Sequence, residues 1–167
     1  MAAPGSRLDT PALRDVSDRG IAFRVVRTER ARTAQEAADL QGLPLGALLR
    51  TIVVRRAEDD YLFVVVPAGR RFDWPRLRQH LGVRRLTLPD AEEAREVTGY
   101  ERYTITPFGA SRAWPVIADA AILGESVVSI GGGGFGISLH LSPAELVRVL
   151  DADVVDVSDP ETSAPDT

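Results

Sequence analysis

The chain has 167 residues, of which 44% are hydrophobic and 26% are charged, and its formal net charge is −4 at pH 7. This length and composition are typical of one globular domain with a single core. Cysteine is absent, which excludes disulfides, thiolate zinc sites and a cysteine nucleophile. The N-terminal residues lack the apolar run of a signal peptide, and no apolar stretch approaches a membrane span of ~18 residues. We therefore expect a cytoplasmic protein without membrane contact.

The charged residues are unevenly distributed. All 20 basic residues are arginine, so a lysine Schiff base and a lysine general base are excluded. Positions 50–85 hold nine arginines and four acids, a local excess of +5, whereas positions 151–167 hold six acids and no base. Local charge, more than net charge, governs contact with a polyanion. The basic segment is compatible with binding to nucleic acid and equally with an ordinary solvated face.

Apolar periodicity and capping signals predict alternating helices and strands. The first part of the chain is predicted to form, in order, a helix at 10–19, a half-buried strand at 21–26, a helix at 34–41, a helical turn at 45–48 and strands at 49–56 and 61–66. The remainder is predicted to form a helix at 74–81, a strand at 84–86, an acidic helix at 89–98, strands at 114–118, 127–130 and 136–141, a helix at 143–150 and an edge strand at 154–155. The strands at 49–56 and 61–66 read as a central hairpin, because both are nearly continuous apolar runs. We expect an α/β fold of the α+β type, with a mixed sheet and flanking helices.

A glycine run at 131–136 formally contains the pattern G-x-G-x-x-G. A dinucleotide site needs this pattern to open a helix, whereas residues 137–141 alternate with the period of a strand. We therefore predict a tight hairpin connection and no nucleotide cofactor. Glycine at these positions leaves room for a ligand or for another backbone segment to approach closely.

Two further features leave alternatives open. Ser138 and His140 share one face of the predicted strand, either as a solvent-facing polar row or as a catalytic pair. Thr106 and Pro107 lie in a loop after the acidic helix. Such a loop can present backbone N–H groups to a carbonyl or a ribose, or it can be an ordinary connection.

Taken in order, several segments resemble the YbaK-type aminoacyl-tRNA deacylases, which are related to the editing domain of bacterial prolyl-tRNA synthetases. The resemblance covers roughly residues 10–157 and rests on the order and spacing of short segments, which are Thr33 with its helix, Leu49-Arg50-Thr51-Ile52-Val53-Val54, Thr98-Gly99-Tyr100, Thr106-Pro107-Phe108-Gly109, Trp114-Pro115-Val116-Ile117-Ala118-Asp119 and Gly131-Gly132-Gly133. It implies a mixed, partly barrel-like sheet with helices around it. It also implies a single editing domain at 1–157, and we expect a disordered acidic tail at 158–167.

The resemblance implies site residues, several of which depart from the family pattern. It assigns catalysis to Arg50, at the position of the family lysine, to Thr104, at the position of a loop glycine, and to Ser138, at the position of an acid. It assigns substrate binding to nine further positions, which are Thr28, Thr33, Tyr100, Ile105, Thr106, Pro107, Gly131, Gly132 and Gly133. Arg50 can bind a phosphate or ribose oxygen with its planar fork, but it cannot act as a neutral amine.

The activity that the resemblance implies is hydrolysis of a wrong amino acid from tRNA, such as cysteine or alanine on proline tRNA. Members act in trans, without metal or cofactor, and the terminal ribose hydroxyl of the substrate carries much of the proton transfer. The expected partner is the charged acceptor end of tRNA, together with a synthetase as a further candidate. Trp74, Tyr100 and Tyr103 are candidates for stacking on an unpaired adenine. The alternatives are a family member that binds such a ligand without hydrolysis, and a protein-binding module that retains only the fold.

Overall fold

The computed structural model describes residues 9–161. It contains five α-helices, which are α1 (Pro11–Arg19), α2 (Ala34–Gln41), α3 (Trp74–Leu81), α4 (Ala91–Thr98) and α5 (Pro143–Leu150). It contains nine strands, which are β1 (Arg24–Arg27), β2 (Leu49–Ala57), β3 (Asp60–Pro67), β4 (Arg70–Phe72), β5 (Val116–Asp119), β6 (Val128–Gly131), β7 (Ile137–Leu141), β8 (Asp153–Val155) and β9 (Ser158–Pro160). Short 3₁₀ helices occupy Leu45–Ala47 and Ala120–Gly124.

The helices begin and end where local capping chemistry predicts. At the start of every α-helix, an oxygen side chain accepts a backbone N–H; the five caps are Thr10, Thr33, Asp73, Asp90 and Ser142. Four of the helices stop at a glycine in the left-handed conformation, where a side chain would add strain. These signals lie within a few residues of each helix end, which is why the predicted helix limits are confirmed to within about two residues.

The strands form three sheets within the described residues. An antiparallel sheet has the order β1-β7-β6, a mixed sheet has the order β2-β3-β5-β8, and β4 pairs with β9. In the mixed sheet β2 and β3 are antiparallel, whereas β5 runs parallel to both β3 and β8. A single parallel bridge between Leu48 and Ser129 joins the mixed sheet to the edge of the antiparallel one. The predicted mixed sheet is therefore confirmed, and the sheets do not close into a barrel.

The hairpin of β2 and β3 lies at the centre of the fold, as its apolar sequence predicts. Tyr61, Phe63 and Val65 on one face of β3 join the larger core cluster. The alternate residues of β3 pack on the opposite face with Leu77 of α3 and Val157. A strand that is buried on both faces needs apolar side chains at successive positions, and this requirement explains the uninterrupted run.

Three parts of the prediction differ from the structure. Residues 84–86 do not form a strand; only Thr87 bridges to Arg55 on the edge of β2. Strand β4 was not predicted, because its three residues show no clear alternation and its partner lies far away in sequence. That partner is β9, so the predicted disordered tail does not begin at Ser158, which is 1% exposed and paired with Phe72. The rest of the predicted tail, residues 162–167, lies outside the described residues.

None of the helices in the described part of the chain is both long enough and apolar enough to span a membrane.

Candidate functional site

A cavity of about 700 Å³ opens beside β2 and is a candidate ligand site. It lies between the first half of β2, the start of α4, the loop at 99–115 and the last residue of β6. Its lining residues are Leu49, Arg50, Thr51, Ile52, Val53, Leu88, Pro89, Asp90, Ala91, Ala94, Arg102, Tyr103, Ile105 and Gly131. A volume of this size is in the range of small-ligand sites, which is about 300–1,000 Å³.

Strand β2 supplies the floor of this cavity. Arg50 is the second residue of β2, where it pairs with Val66 of the central strand, and its side chain is exposed. Arg50 makes no ion pair with any of the residues 9–161. The hydroxyl of Thr51 is buried and has no hydrogen-bond partner. The floor thus combines a fixed strand backbone with a cation that is free to bind an anionic ligand.

Helix α4 forms one wall and is held near both ends by hydrogen bonds from side chains outside the helix. Near its N-terminus, the Tyr61 hydroxyl donates to the Glu93 carboxylate; this bond, with burial, raises the pKa of Tyr61 to about 12. Near its C-terminus, the Trp114 indole donates a 2.7 Å bond to the Val97 carbonyl oxygen. The cap Asp90, which accepts the Glu93 N–H at 2.8 Å, faces the same cavity. The sequence does not indicate this wall, because contacts between distant segments, such as the bridge between Arg55 and Thr87, bring it beside β2.

The loop at 99–115 forms the opposite wall. Tyr100 is 4% exposed, and its hydroxyl donates a 2.6 Å bond to the Phe108 carbonyl oxygen. Burial, followed by the charge of Asp15, raises the pKa of Tyr100 to about 12. The Thr104 hydroxyl donates to the Glu101 carbonyl oxygen at 2.8 Å, which closes a turn. Tyr100 and Thr104 therefore shape the loop, and neither is among the residues that line the cavity.

Ile105 brings its backbone to the same region. Ile105 lines the cavity, and a Cβ placed on Gly131 would lie 3.7 Å from the Ile105 carbonyl oxygen and 3.9 Å from Thr106 Cβ. Within residues 9–161 the N–H groups of Ile105 and Thr106 make no hydrogen bond. Thr106 and Pro107 are themselves buried beneath the loop. An unpaired backbone donor beside a cavity is available to a ligand oxygen.

The glycine run forms the predicted hairpin connection between β6 and β7, and only its first residue lines the cavity. A Cβ on Gly132 would lie 2.6 Å from Ile137 Cγ2. A Cβ on Gly133, whose φ is +88°, would lie 3.0 Å from the Tyr100 ring and 3.3 Å from Ala12. At both glycines, the space that a side chain would occupy is therefore filled by other residues of the chain. Of these three glycines, only Gly131 lines the cavity.

Ser138 and His140 differ in their surroundings. Ser138 pairs with Gly131 across β6 and β7, and cross-strand partners share a face, so its hydroxyl lies beside the glycine that borders the cavity. His140 is 8% exposed and its Nε2 lies 2.8 Å from Gln41 Oε1. Burial, and then the Arg24 charge, lowers the pKa of His140. The alternative of a solvent-facing polar row is therefore wrong for His140.

The remaining predicted positions lie away from the cavity. Thr33 is exposed and caps α2 by accepting the Glu36 N–H at 3.0 Å. The Thr28 N–H donates a 2.9 Å bond to the Gly136 carbonyl oxygen and so ties β1 to the hairpin. The structure thus brings Arg50, Ile105 and Gly131 together at the cavity, with Thr106 and Ser138 next to them. The other predicted site residues do not line the cavity; they are Thr28, Thr33, Tyr100, Thr104, Pro107, Gly132 and Gly133.

Part of the excess positive charge at 50–85 is neutralised by ion pairs within the molecule. Arg76 of α3 forms ion pairs with Asp73, Asp156 and Asp159, and His80 contacts Asp153. The C-terminal acids therefore fold back onto α3. The cations that line the cavity are Arg50 and Arg102, and Asp90 is the acid that lines it.

Metal ligation has little support in residues 9–161, where no cluster of three or more His, Asp or Glu side chains could hold an ion. The arrangement instead suits a ligand with a phosphate or ribose for the arginines, a carbonyl for the Ile105 N–H and a cation for Asp90.

The family profile described as the aminoacyl-tRNA editing domain matches residues 28–149, which include every residue that lines the cavity. The chain belongs to this family. Editing-domain relatives include Cys-tRNA(Pro)/Cys-tRNA(Cys) deacylase EbsC of Enterococcus faecalis, a provisional assignment, which is 19% identical over 96% of this chain and 100% of the relative. The multifunctional Ser/Thr-tRNA deacylase ProXp-y of Escherichia coli K12 is 23% identical over 84% of this chain and 86% of its own length.

Two further similarities connect the family to prolyl-tRNA synthetase. The proline–tRNA ligase of Thermosipho africanus is 26% identical over 64% of this chain, but the match spans only 19% of the ligase. The solved structure of a proposed trans-editing enzyme for prolyl tRNA synthetase superposes with a TM-score of 0.82 and 27% identity, over 90% of this chain and 98% of that one. The editing-domain fold predicted from the sequence is thus confirmed.

Proposed function

We propose that this chain is a trans-acting aminoacyl-tRNA deacylase that removes a wrong amino acid from tRNA and so protects the fidelity of translation. The observation that carries the proposal is the cavity that joins Arg50, Ile105 and Gly131 in a member of the editing-domain family. The reaction adds water across an ester and yields a free amino acid and the ribose hydroxyl of the tRNA. Charged tRNA is used in the cytoplasm, where we place the protein.

The cavity supplies the two things that ester hydrolysis needs most, which are a held substrate and a stabilised oxyanion. Arg50 anchors a phosphate or ribose oxygen of the terminal nucleotide through charge-assisted hydrogen bonds. The Ile105 N–H, which makes no hydrogen bond within residues 9–161, is the candidate donor to the substrate carbonyl, because Ile105 lines the cavity. Because Arg50 cannot accept a proton, proton transfer falls to the terminal ribose hydroxyl and to water.

Small amino acids are the expected substrates, because two relatives are named as deacylases of cysteinyl-tRNA and of seryl- and threonyl-tRNA. The decisive experiment incubates the protein with a panel of tRNAs that carry cysteine, alanine, serine, threonine or proline, with and without prolyl-tRNA synthetase. We expect release of at least one small amino acid well above the rate in buffer. If excess protein releases none of them under either condition, the proposal is wrong.

Binding without hydrolysis is the second candidate, and the nature of Arg50 favours it, since a permanently charged arginine stands where the family pattern has lysine. The two functions are separated by single-turnover hydrolysis and equilibrium binding measured on the same preparation. A deacylase loses turnover in Arg50→Ala. A pure binder has no turnover to lose, and Arg50→Ala only weakens its retention of charged tRNA.

A further inference from the structure

The most exposed large apolar side chains in the described residues lie at one place. Tyr103 is 77% exposed and Leu88 is 59% exposed, and no other large hydrophobic residue exceeds 49%. Both line the cavity that contains Arg50, although they come from different segments of the chain. Scattered exposed apolar residues need no explanation, but the convergence of the two most exposed ones on a single cavity indicates a binding surface.

Tyr103 also has an unfavourable backbone conformation. Its φ is +73°, which is uncommon for a residue with a bulky side chain. The strain is retained although the ring buries little surface in return. The Arg102 guanidinium carbon lies 5.1 Å from the centroid of the ring and covers one of its faces. A conformation that costs stability and displays an aromatic face is a feature expected at a binding site.

We propose that Tyr103 and Leu88 form a clamp for the unpaired terminal nucleobase of the RNA substrate, a residue-level assignment that rests on the proposed function. A nucleobase has an apolar face that stacks on an aromatic ring, and a stacked guanidinium strengthens such contacts. The two arginines at the cavity, Arg50 and Arg102, suit the phosphate that is attached to the same nucleotide.

The charges at the rim favour a nucleotide over an apolar peptide or a partner protein. Arg50, Arg102 and Asp90 are all exposed and line the same cavity as Tyr103 and Leu88. A protein interface of useful affinity has a contiguous core from which charged residues are depleted. A single planar base needs only two apolar contacts and tolerates charge at its edges.

The clamp is tested with two uncharged RNA minihelices that share the single-stranded acceptor end. One ends in adenosine and the other ends in a ribose without a base. At fixed salt, the wild-type protein should bind the adenosine-ended RNA roughly 5- to 150-fold more tightly, as expected for one stacked base. Tyr103→Ala should reduce this preference to near unity, Leu88→Ala should reduce it in part, and Tyr103→Phe should retain it.

Phe135 provides a matched control. It is 49% exposed and carries Arg30 at 5.0 Å from its ring, but it is not among the residues that line the cavity. Phe135→Ala should therefore keep the full preference for adenosine. Thermal unfolding of each variant confirms that it is folded, and removal of such exposed rings should change the midpoint little.

Failure of the clamp is distinguishable from failure of the proposed function. If wild type binds both minihelices equally, or if Tyr103→Ala and Leu88→Ala both keep the preference, the clamp is wrong even when charged tRNA is hydrolysed. If the preference depends on Tyr103 and no aminoacyl-tRNA is hydrolysed, the clamp stands and the deacylase assignment fails. An absence of all RNA binding overturns the clamp.

Discussion

The hydroxyl of Tyr100 donates a 2.6 Å hydrogen bond to the carbonyl oxygen of Phe108, which joins the two ends of a loop segment. Between these residues lie Tyr103, with its positive φ, and Ile105, with its free N–H. Tyr100 therefore acts on the site indirectly, by holding the segment that lines the cavity. The family resemblance implies substrate binding for Tyr100, whereas its burial makes it a positioning residue.

We predict that Tyr100→Phe lowers the free energy of unfolding by about 1–2 kcal/mol, because the buried Phe108 carbonyl loses its donor. Deacylation should show a higher KM, because the loop is less well held.

The pKa of Tyr100 is raised from 10.0 to about 12, so this group contributes stability that is present below pH 10 and is lost as the pH rises towards 12. Tyr61 titrates in the same window, so the variant should lose only part of the alkaline sensitivity. Urea unfolding at pH 8 and pH 11 measures how much stability each protein loses as the pH rises, with Tyr103→Phe as the exposed control. An equal loss of stability in Tyr100→Phe and Tyr103→Phe would contradict the prediction.

Arg50 provides the second prediction. Replacement by glutamine removes the anchoring charge, and we expect kcat/KM to fall by about 10- to 100-fold, as for loss of one charge-assisted contact. Arg50→Lys should retain most of the binding, because a point charge still attracts phosphate. Arg71 of β4 is also exposed but does not line the cavity, so Arg71→Gln is the matched control and should leave kcat/KM unchanged. The measurement is steady-state deacylation at fixed salt, and equal losses in the Arg50 and Arg71 variants would refute an anchoring role.

The elements that the sequence predicts well are those specified by nearby residues. Helix α3 is predicted correctly over Trp74–Leu81, because Asp73 caps its start and Gly82 ends it. The strand pair of β4 and β9 could not be predicted, because its register links Arg70 to Pro160 across most of the domain.

The same distinction applies to the site. The resemblance places Arg50, Ile105 and Gly131 in the site, and the structure brings them together at one cavity. The wall that contains Leu88 and Asp90 was missed, because no local signal shows that this segment meets the edge of β2. Gly132 and Gly133 have the composition of a ligand loop, but packing against Ile137, Tyr100 and α1 fills their space.

His140 supports a prediction about stability and pH. Burial and the nearby Arg24 lower its pKa, so the unfolded chain binds a proton more readily than the folded protein. The free energy of unfolding should therefore be highest above the ordinary histidine pKa of about 6.5 and should fall as the pH decreases below it. His140→Gln removes the titrating group and keeps a partner for Gln41, so its slope between pH 7 and pH 5 should be shallower than that of wild type. Chemical denaturation at several pH values measures both slopes, and identical slopes would show that another group is responsible.

Asp90 provides the last prediction, because an aminoacyl ester carries a free α-ammonium group and Asp90 is the acid that lines the cavity. We expect the wild-type protein to hydrolyse aminoacyl-tRNA faster than its N-acetylated form, which lacks that charge. Asp90→Asn removes the carboxylate charge but keeps the cap of α4, since asparagine and aspartate cap helices about equally well.

The preference for the free amine should fall about 3- to 10-fold in Asp90→Asn, a modest change because Asp90 is exposed and its charge is screened by solvent. Asp90→Ala should lose the same preference and also about 1 kcal/mol of stability, through loss of the cap. Single-turnover rates on the two substrates, with thermal unfolding of each variant, separate the charge from the cap. If Asp90→Asn keeps the wild-type preference, the α-ammonium group is recognised elsewhere in the cavity.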